Sequence, residues 1–235
     1  MLMNRIEHIR KEEKKYHDLC YENYKLFEEG SWLYKPVKTV LDQLPLFEGK
    51  QDIRVLDLGS GVGRNSIPVA KEIKNNGKVV CVDLLSSAIE KLNQYSEEHG
   101  VESVIESVES DIVNYQIKKN EYDYIVAVSS LEHVESELIL DQVLKQMALG
   151  TKKDGINCII INSEVEEIDL ETNEKLDALM EVNLKTEDMF EKLNRIYSGW
   201  EVLNQLVKQL EYKIERNGKQ ILLRTNAITF VVRKQ

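Results

Sequence analysis

Three glycines stand two residues apart in Val55-Leu56-Asp57-Leu58-Gly59-Ser60-Gly61-Val62-Gly63, directly behind a short apolar run that opens at Ile53. Glycine permits a tight turn and lets the backbone approach a ligand closely. Two acids follow at matching places. Asp83 ends the apolar run Val79-Val80-Cys81-Val82, and Asp111 follows a weaker run that opens at Val104-Ile105. A carboxylate at the tip of a second strand can accept hydrogen bonds from both hydroxyls of a ribose. Asp111 stands where a side chain can receive an adenine amino group, with Ile112 beside the ring. The glycine spacing does not suit a dinucleotide. In G-x-G-x-x-G the last glycine would fall at Arg64, and that motif serves to hold a pyrophosphate at a helix N-terminus. Asp57 beside the loop disfavours a pyrophosphate. It suits a cationic ligand whose amino group it reaches through water.

A second group of candidates follows the apolar run at residues 124–128: Ser129, Ser130, Glu132 and His133. His133 can accept a proton, with Glu132 tuning it, where an acceptor must lose one during attack. The bland reading, a helix cap and a solvent-facing acid, stays open. Ahead of the glycines lie Tyr16, His17, Tyr21, Tyr24, Trp32, Tyr34 and Lys35. Aromatic rings shape a pocket and favour a cation, or pack a helix; Tyr24 and Trp32 are the preferred pair. Glu164, Glu166, Glu167, Asp169, Glu171 and Glu174 crowd one stretch with no base before Lys175. Overhanging a site, with Glu164 nearest, this stretch would attract a small amine or nitrogen heterocycle. Lying away from it, the stretch is an ordinary solvated run.

The elements that must position these residues alternate. Apolar runs at 53–58, 79–82, 104–108, 124–128 and 156–161 read as strands, and periodic stretches at 66–73, 87–96 and 134–147 as helices. The near-continuous apolar strands suit a parallel sheet covered on both faces. Lys153-Asp154-Gly155 reads as a turn. Residues 3–20 and 32–41 read as two helices separated by Gly30-Ser31, with Pro36 near the first turn of the second. Beyond strand five, residues 164–185 are acidic and then mainly helical by pattern, and 187–197 form a short helix. Long extended stretches at 200–216 and 221–232, the second broken near Thr225-Asn226, flank Asn217-Gly218, the favoured pair for a tight hairpin.

The chain has 235 residues, a net charge of −10 and three cysteines, Cys20, Cys81 and Cys158. The length fits one large domain with a helical extension: residues 1–50 as an N-terminal extension or lid, and 51–235 as the main domain. The negative charge argues against a broad nucleic-acid surface. Three scattered thiols argue against a disulfide framework or a cysteine–histidine zinc site. With no signal peptide and no run of about 20 apolar residues, the expected place is the cytoplasm, away from membranes.

The run VLDLGSGVGRNSIPVA resembles motif I of the class I S-adenosylmethionine-dependent methyltransferases. VVCVDLLSSAIEKL resembles the second motif of that family, SDIVNY its adenine-binding segment, and YDYIVAVSSLEHV its fourth-strand motif. GRNS at Gly63–Ser66 resembles the small-molecule group that includes the tellurite-resistance methyltransferases. The resemblance implies an α/β fold with a doubly wound, Rossmann-like sheet of seven strands in the order 3-2-1-4-5-7-6, strand 7 antiparallel. It implies S-adenosylmethionine as cofactor, with S-adenosylhomocysteine as product. Gly59, Ser60, Gly61 and Gly63 would line the methionine side, Asp83 and Leu84 the ribose and adenine, and Asp111 and Ile112 the adenine edge; Ser129 would close the site from below. The expected activity is methyl transfer to a small molecule by a monomer or homodimer. The alternatives are a protein or peptide methyltransferase, a nucleic-acid enzyme and a non-catalytic S-adenosylmethionine-binding protein. Against the nucleic-acid enzyme, no Asn-Pro-Pro-Tyr-like run follows strand four. Against a nicotinamide-dependent reductase stand Asp57 and the glycine spacing.

Overall fold

The computed structural model describes residues 4–216 and 218–235. Helix α1 (Arg5–Asn23) begins with a capping box, in which the Asn4 side chain accepts from the Glu7 amide and Glu7 accepts from the Asn4 amide. Short turns and α2 (Lys38–Leu41) lead to β1 (Ile53–Leu58). The chain then alternates: α3 (Ser66–Ile73), β2 (Gly77–Asp83), α4 (Ser86–Glu98), β3 (Ile105–Glu109), β4 (Tyr122–Val128), α5 (Glu137–Gly150) and β5 (Thr151–Asp169). It ends with β6 (Lys175–Leu176), α6 (Thr186–Ile196), β7 (Glu201–Arg216) and β8 (Lys219–Arg233).

The strands hydrogen-bond in the order β3-β2-β1-β4-β5-β8-β7, with β6 attached to β5. The five strands from β3 to β5 are mutually parallel, and β8 runs antiparallel to both β5 and β7. This is the expected seven-strand order. The short β6 only shifts the later numbering by one. Side chains of β1 alternate between the two faces, as the pleat requires. Ile53 and Val55 join the cluster under α3 and α4, whereas Leu56 and Leu58 join the one under α5 and α6. Burial on both faces explains why these strands read as unbroken apolar runs.

Several expectations need correction. Residues 32–41 form a 3-10 turn at Trp32–Tyr34 and the one-turn α2, separated by extended backbone at Lys35 and Val37. Pro36 lies between them, and a proline disfavours helical backbone at the residue before it. Residues 164–185 contain no helix. β5 runs on through Asp169, because Glu166–Asp169 pair with Ile221–Arg224 of β8. Lys153-Asp154-Gly155 lie inside β5, with the turn compressed into Asp154 at φ 64°. β8 is unbroken across Thr225-Asn226, and the irregularity falls between Ser163 and Glu166 instead. Of the hairpin pair, Asn217 lies outside the described residues, while Gly218 has φ 77°.

One consequence positions the site. Val128, the last residue of β4, pairs with Ile160 of β5. Residues 161–169 of β5 therefore run past the end of β4, and β8 pairs with them there. Helix α1 is tied to the top of this extension: Glu13 faces Arg216 at 3.4 Å, and Arg5 donates to the carbonyls of Ala178 and Met180. Its other ties reach the nucleotide half of the sheet, Arg10 to Asp111 and Asp18 to Ser87. α1 thus bridges the C-terminal strand ends, with Leu19 about half exposed and the polar residues Glu13 and His17 turned partly inward.

Candidate active site

The glycine loop leaves β1 at its C-terminal end. The Gly59 and Ser60 amides both donate to the Val82 carbonyl, at 2.8 and 3.0 Å, which binds the loop to the end of β2. Gly59 has φ 76°, and a Cβ there would sit 2.3 Å from Cβ of Ser130, so no other residue fits. Asp83 completes the corner. Its Oδ2 accepts from the Gly61 amide at 2.7 Å and its Oδ1 from the Leu85 amide at 2.9 Å. Burial pushes its carboxyl up, and those amides oppose the shift. A carboxylate has about four acceptor positions, so ribose hydroxyls can still be received.

Asp57 is buried at the foot of the loop and accepts from the Ser66 hydroxyl. Burial raises its pKa to about 6, the Ser66 bond working against this and the charge of Asp83 adding to it. Asp111 turns its Oδ1 to the Val113 amide and its Oδ2 to Arg10 at 3.1 Å. Ile112 is packed in the core under α5, while Leu84 is about half exposed beside Asp83. Leu84, Leu85 and Ser86 line a cavity of about 370 Å³ whose other wall is Arg10, Lys11 and Lys14 of α1.

Beyond β4, Ser129 adopts φ 50°, a conformation rare for a residue with a side chain. Glu132 is fully buried. Its Oε1 accepts from the backbone and side-chain amides of Asn162, and burial raises its pKa. His133 meets Glu181 through Nδ1 at 3.1 Å. Burial pulls the imidazole down, but the Glu181 hydrogen bond and the charges of Glu13 and Glu132 carry its pKa up to about 9. At neutral pH His133 is therefore an imidazolium with no free lone pair.

The N-terminal aromatics separate. Trp32 joins His17 and Tyr21, with ring centroids 5.7 and 6.3 Å away. Arg64 holds it by donating to its carbonyl at 3.0 Å and lying 5.0 Å over its ring. Tyr24 ends α1 and packs against Gly30; among the described residues no ring contact joins it to Trp32. Glu164 is engaged as well: its Oε2 accepts from Thr186 and Asn226 at the start of α6. Glu166, Glu167 and Asp169 pair with Lys175, Arg216 and Lys219. As far as Asp169 the acidic stretch is a paired strand rather than a free field, while Glu171 and Glu174 lie beyond the end of that strand.

Arg10 and Glu181 were not singled out in the sequence, and His17 and Tyr21 were named only among the N-terminal aromatics without a role; the structure brings all four to this face. The signal for them was weak: Arg10, His17 and Tyr21 recur at helical spacing, but such a pattern ordinarily marks a solvated face. Three buried polar atoms here have no hydrogen-bond partner: His17 Nδ1, Ser60 Oγ and Glu132 Oε2. Each such atom costs roughly 1–3 kcal/mol if left unmet. They belong to α1, the glycine loop and the segment after β4, all at the C-terminal strand ends. That is the part of an open α/β sheet where ligands bind. Unmet polar atoms around a glycine cradle fit a polar nucleoside ligand with an amino acid end. Gly59–Gly63, Asp57, Asp83 and Asp111 would hold it, and it would supply an electrophilic methyl group.

Residues 55–155 match the family model described as a methyltransferase domain. The strand order and the antiparallel last strand are those that the resemblance to the class I, S-adenosylmethionine-dependent methyltransferases implies. Among solved structures the protein resembles TehB from Haemophilus influenzae, at 23% identity and a TM-score of 0.62 over 85% of this chain and 62% of that one. The chain thus spans less than two thirds of the length of TehB. It also resembles an S-adenosylmethionine-dependent methyltransferase from Methanosarcina mazei, at 17% identity and a TM-score of 0.58 over 85% of this chain and 98% of that one. At these identities the likeness is one of fold. No curated protein matches the sequence. Among the described residues, no helix is long and apolar enough to cross a membrane.

Proposed function

We propose that this protein transfers the methyl group of S-adenosylmethionine to a small molecule that enters beneath α1. The observation that carries this reading is the convergence of Asp57, the three loop glycines, Asp83 and Asp111 on one edge of the sheet, with the Gly61 amide bonded to Asp83. Ser60, Gly61 and Gly63 line the methionine end, Leu84 and Asp111 the adenine end, and Ser129 the floor. Residues 1–50 act as a lid, because α1 spans both halves of the sheet. That roof supports a small acceptor over a polymer, and the net charge of −10 supports it over a nucleic acid.

Trp32 is the aromatic wall of the acceptor space, while Tyr24 and Glu164 lie at its outer margin. Because the nearby carboxylates are paired, an amine acceptor gains little from them. Glu132 and His133 hold the floor of the pocket in place. Much of the barrier to methyl transfer is removed by alignment alone, so a rigid floor has a direct catalytic use. Titration calorimetry with S-adenosylhomocysteine, NAD and NADP tests the donor. Incubation of a metabolite library with labelled S-adenosylmethionine, read by mass spectrometry, tests the acceptor. Binding of NAD with none of S-adenosylhomocysteine would sink this reading.

A further inference from the structure

His17 carries a buried ring nitrogen that has no hydrogen-bond partner among the described residues. Its Nδ1 is buried and has no partner, while its Nε2 faces Oε2 of Glu13 at 3.6 Å on the same helix. Glu13 is itself steadied by Arg216. A carboxylate opposite one ring nitrogen keeps the proton there and leaves the lone pair on the other. The place of the ring follows from its neighbours. Its ring centroid lies 5.7 Å from that of Tyr21 and 5.7 Å from that of Trp32. Tyr21 reaches the glycine loop, which sets His17 beside that loop at the end of β1. Tyr21, one turn further along α1, has its hydroxyl 3.3 Å from the Cβ that Gly61 lacks. The ring of Tyr16 lies with its centroid 5.5 Å from the imidazole.

We propose that His17, oriented by Glu13, is the general base of the methyl transfer, and that the acceptor therefore carries a removable proton on oxygen or sulfur. This rests on the donor site proposed above. The acceptor heteroatom bonds to the methyl carbon as the carbon–sulfur bond breaks, its electron pair staying on sulfur. The proton of the acceptor passes to Nδ1 of His17 and leaves to solvent after product release. The charged and titratable groups around the ring are Glu13 and Asp18 on its own helix, the phenols of Tyr16 and Tyr21 beside it, Asp83 after β2 and His133 after β4. Burial and the charge of His133 hold the imidazole below its ordinary pKa, against the pull of the three acids. It is thus neutral at pH 7, as a base must be. His133, charged and bound to Glu181, is the wrong form for that role.

The test uses the full chain, with 15N-labelled histidine and saturating S-adenosylhomocysteine. The expected result is a neutral His17 at pH 7 carrying its proton on Nε2, with an Nδ1 signal that moves when the product binds. A proton on Nδ1, or an imidazolium at pH 7, overturns the assignment. In parallel, labelled S-adenosylmethionine is offered to a matched panel of phenols, alcohols, thiols and amines. Turnover of hydroxyl or thiol compounds is expected. His17→Gln should lower it by about 100-fold, with the affinity for S-adenosylhomocysteine kept within about twofold. Glu13→Gln should fall between the two and displace the rising limb of the pH–rate profile. Turnover of amines alone, full activity in H17Q, or no turnover across the panel by protein that binds S-adenosylhomocysteine each rejects the proposal. Failure of the wild type to bind S-adenosylhomocysteine rejects the donor site itself.

Discussion

Asp57→Asn separates what the site costs the fold from what it gives the ligand. Asp57 is 2% exposed and its main partner is the Ser66 hydroxyl, which an asparagine oxygen can receive equally well. Its carboxyl ionises at about 6 in the folded chain against an ordinary value of 3.8. Between these two values the folded state binds more protons than the unfolded one, so stability falls as pH rises through the window. Above pH 6 the full cost stands: a displacement of about 2 pH units at roughly 1.36 kcal/mol each, or about 3 kcal/mol. Asp57→Asn should therefore stabilise the ligand-free protein at pH 7 by up to about 3 kcal/mol. For a chain of this size that raises Tm by roughly 6–12 °C. The gain should shrink toward zero as pH falls to 4.

The same substitution should weaken the ligand. In the proposed donor site an ionised Asp57 would face the ammonium of the donor through water, and losing that charge should cost about tenfold in affinity for S-adenosylhomocysteine. Binding should also release protons. Near pH 6 about half the molecules hold a proton on Asp57, so roughly half a proton should leave on binding. Calorimetry in two buffers of different ionisation enthalpy measures that number. Differential scanning calorimetry across pH 4–8 measures the stability. A D57N variant no more stable than wild type at pH 7, with unchanged affinity and unchanged proton release, would refute the reasoning.

Asp83→Asn should keep one acceptor for the loop amides yet weaken S-adenosylhomocysteine by about 10–100-fold through loss of charge-assisted bonds to ribose; unchanged affinity in calorimetry would remove the ribose assignment. Gly59→Ala meets both φ 76° and Cβ of Ser130 at 2.3 Å, so it should lower Tm clearly and abolish donor binding, and a wild-type melting curve would contradict the packing. His133 is held at about 9 against an ordinary 6.5, so its contribution to stability is complete below pH 6.5 and is lost as pH rises through 9. Glu181→Gln should flatten that decline in denaturant titrations between pH 6.5 and 9, and an unaltered slope would mean that Glu181 does not hold the charge.

The parallel half of the fold was legible because each of its strands is buried on both faces and followed by a punctuating residue. Val79–Val82 could be read as a strand from composition, and Asp83 as its tip from the break in that composition. The same logic failed after strand five. Residues 164–169 read Glu-Val-Glu-Glu-Ile-Asp, with the two apolar residues three apart rather than alternating as in a strand, and the acids look solvated when read locally. Their partners Arg216, Lys219 and Lys175 come from other strands, with Arg216 and Lys219 about 50 residues away. Nothing local announces such pairing, so an extended strand passed for a helix and a paired row of acids for a free one.

Helix α1 hid its role for the opposite reason. Sequence patterning assumes that a helix turns its apolar side chains inward. In α1 the buried apolar residues Ile9, Cys20 and Tyr21 are few, and Leu19 and Tyr16 stay exposed. Arg10, Glu13 and His17, spaced three and four apart, instead meet Asp111, Arg216 and the space beside the glycine loop. Such a face is expensive for a helix whose only task is packing, because polar groups drawn out of water need partners. Arg10 and Glu13 have theirs; His17 Nδ1 does not. The cost is recovered if that nitrogen meets a ligand, and a helix built this way gains its firmest seat only when the site beneath it is filled. Donor binding should therefore tighten α1, which hydrogen exchange can measure directly: amides of residues 9–21 should gain protection on adding S-adenosylhomocysteine, while those of α5, on the far face of the sheet, should not. Equal protection of both helices would indicate general stabilisation, and an unchanged α1 would show that its polar face serves something other than the ligand.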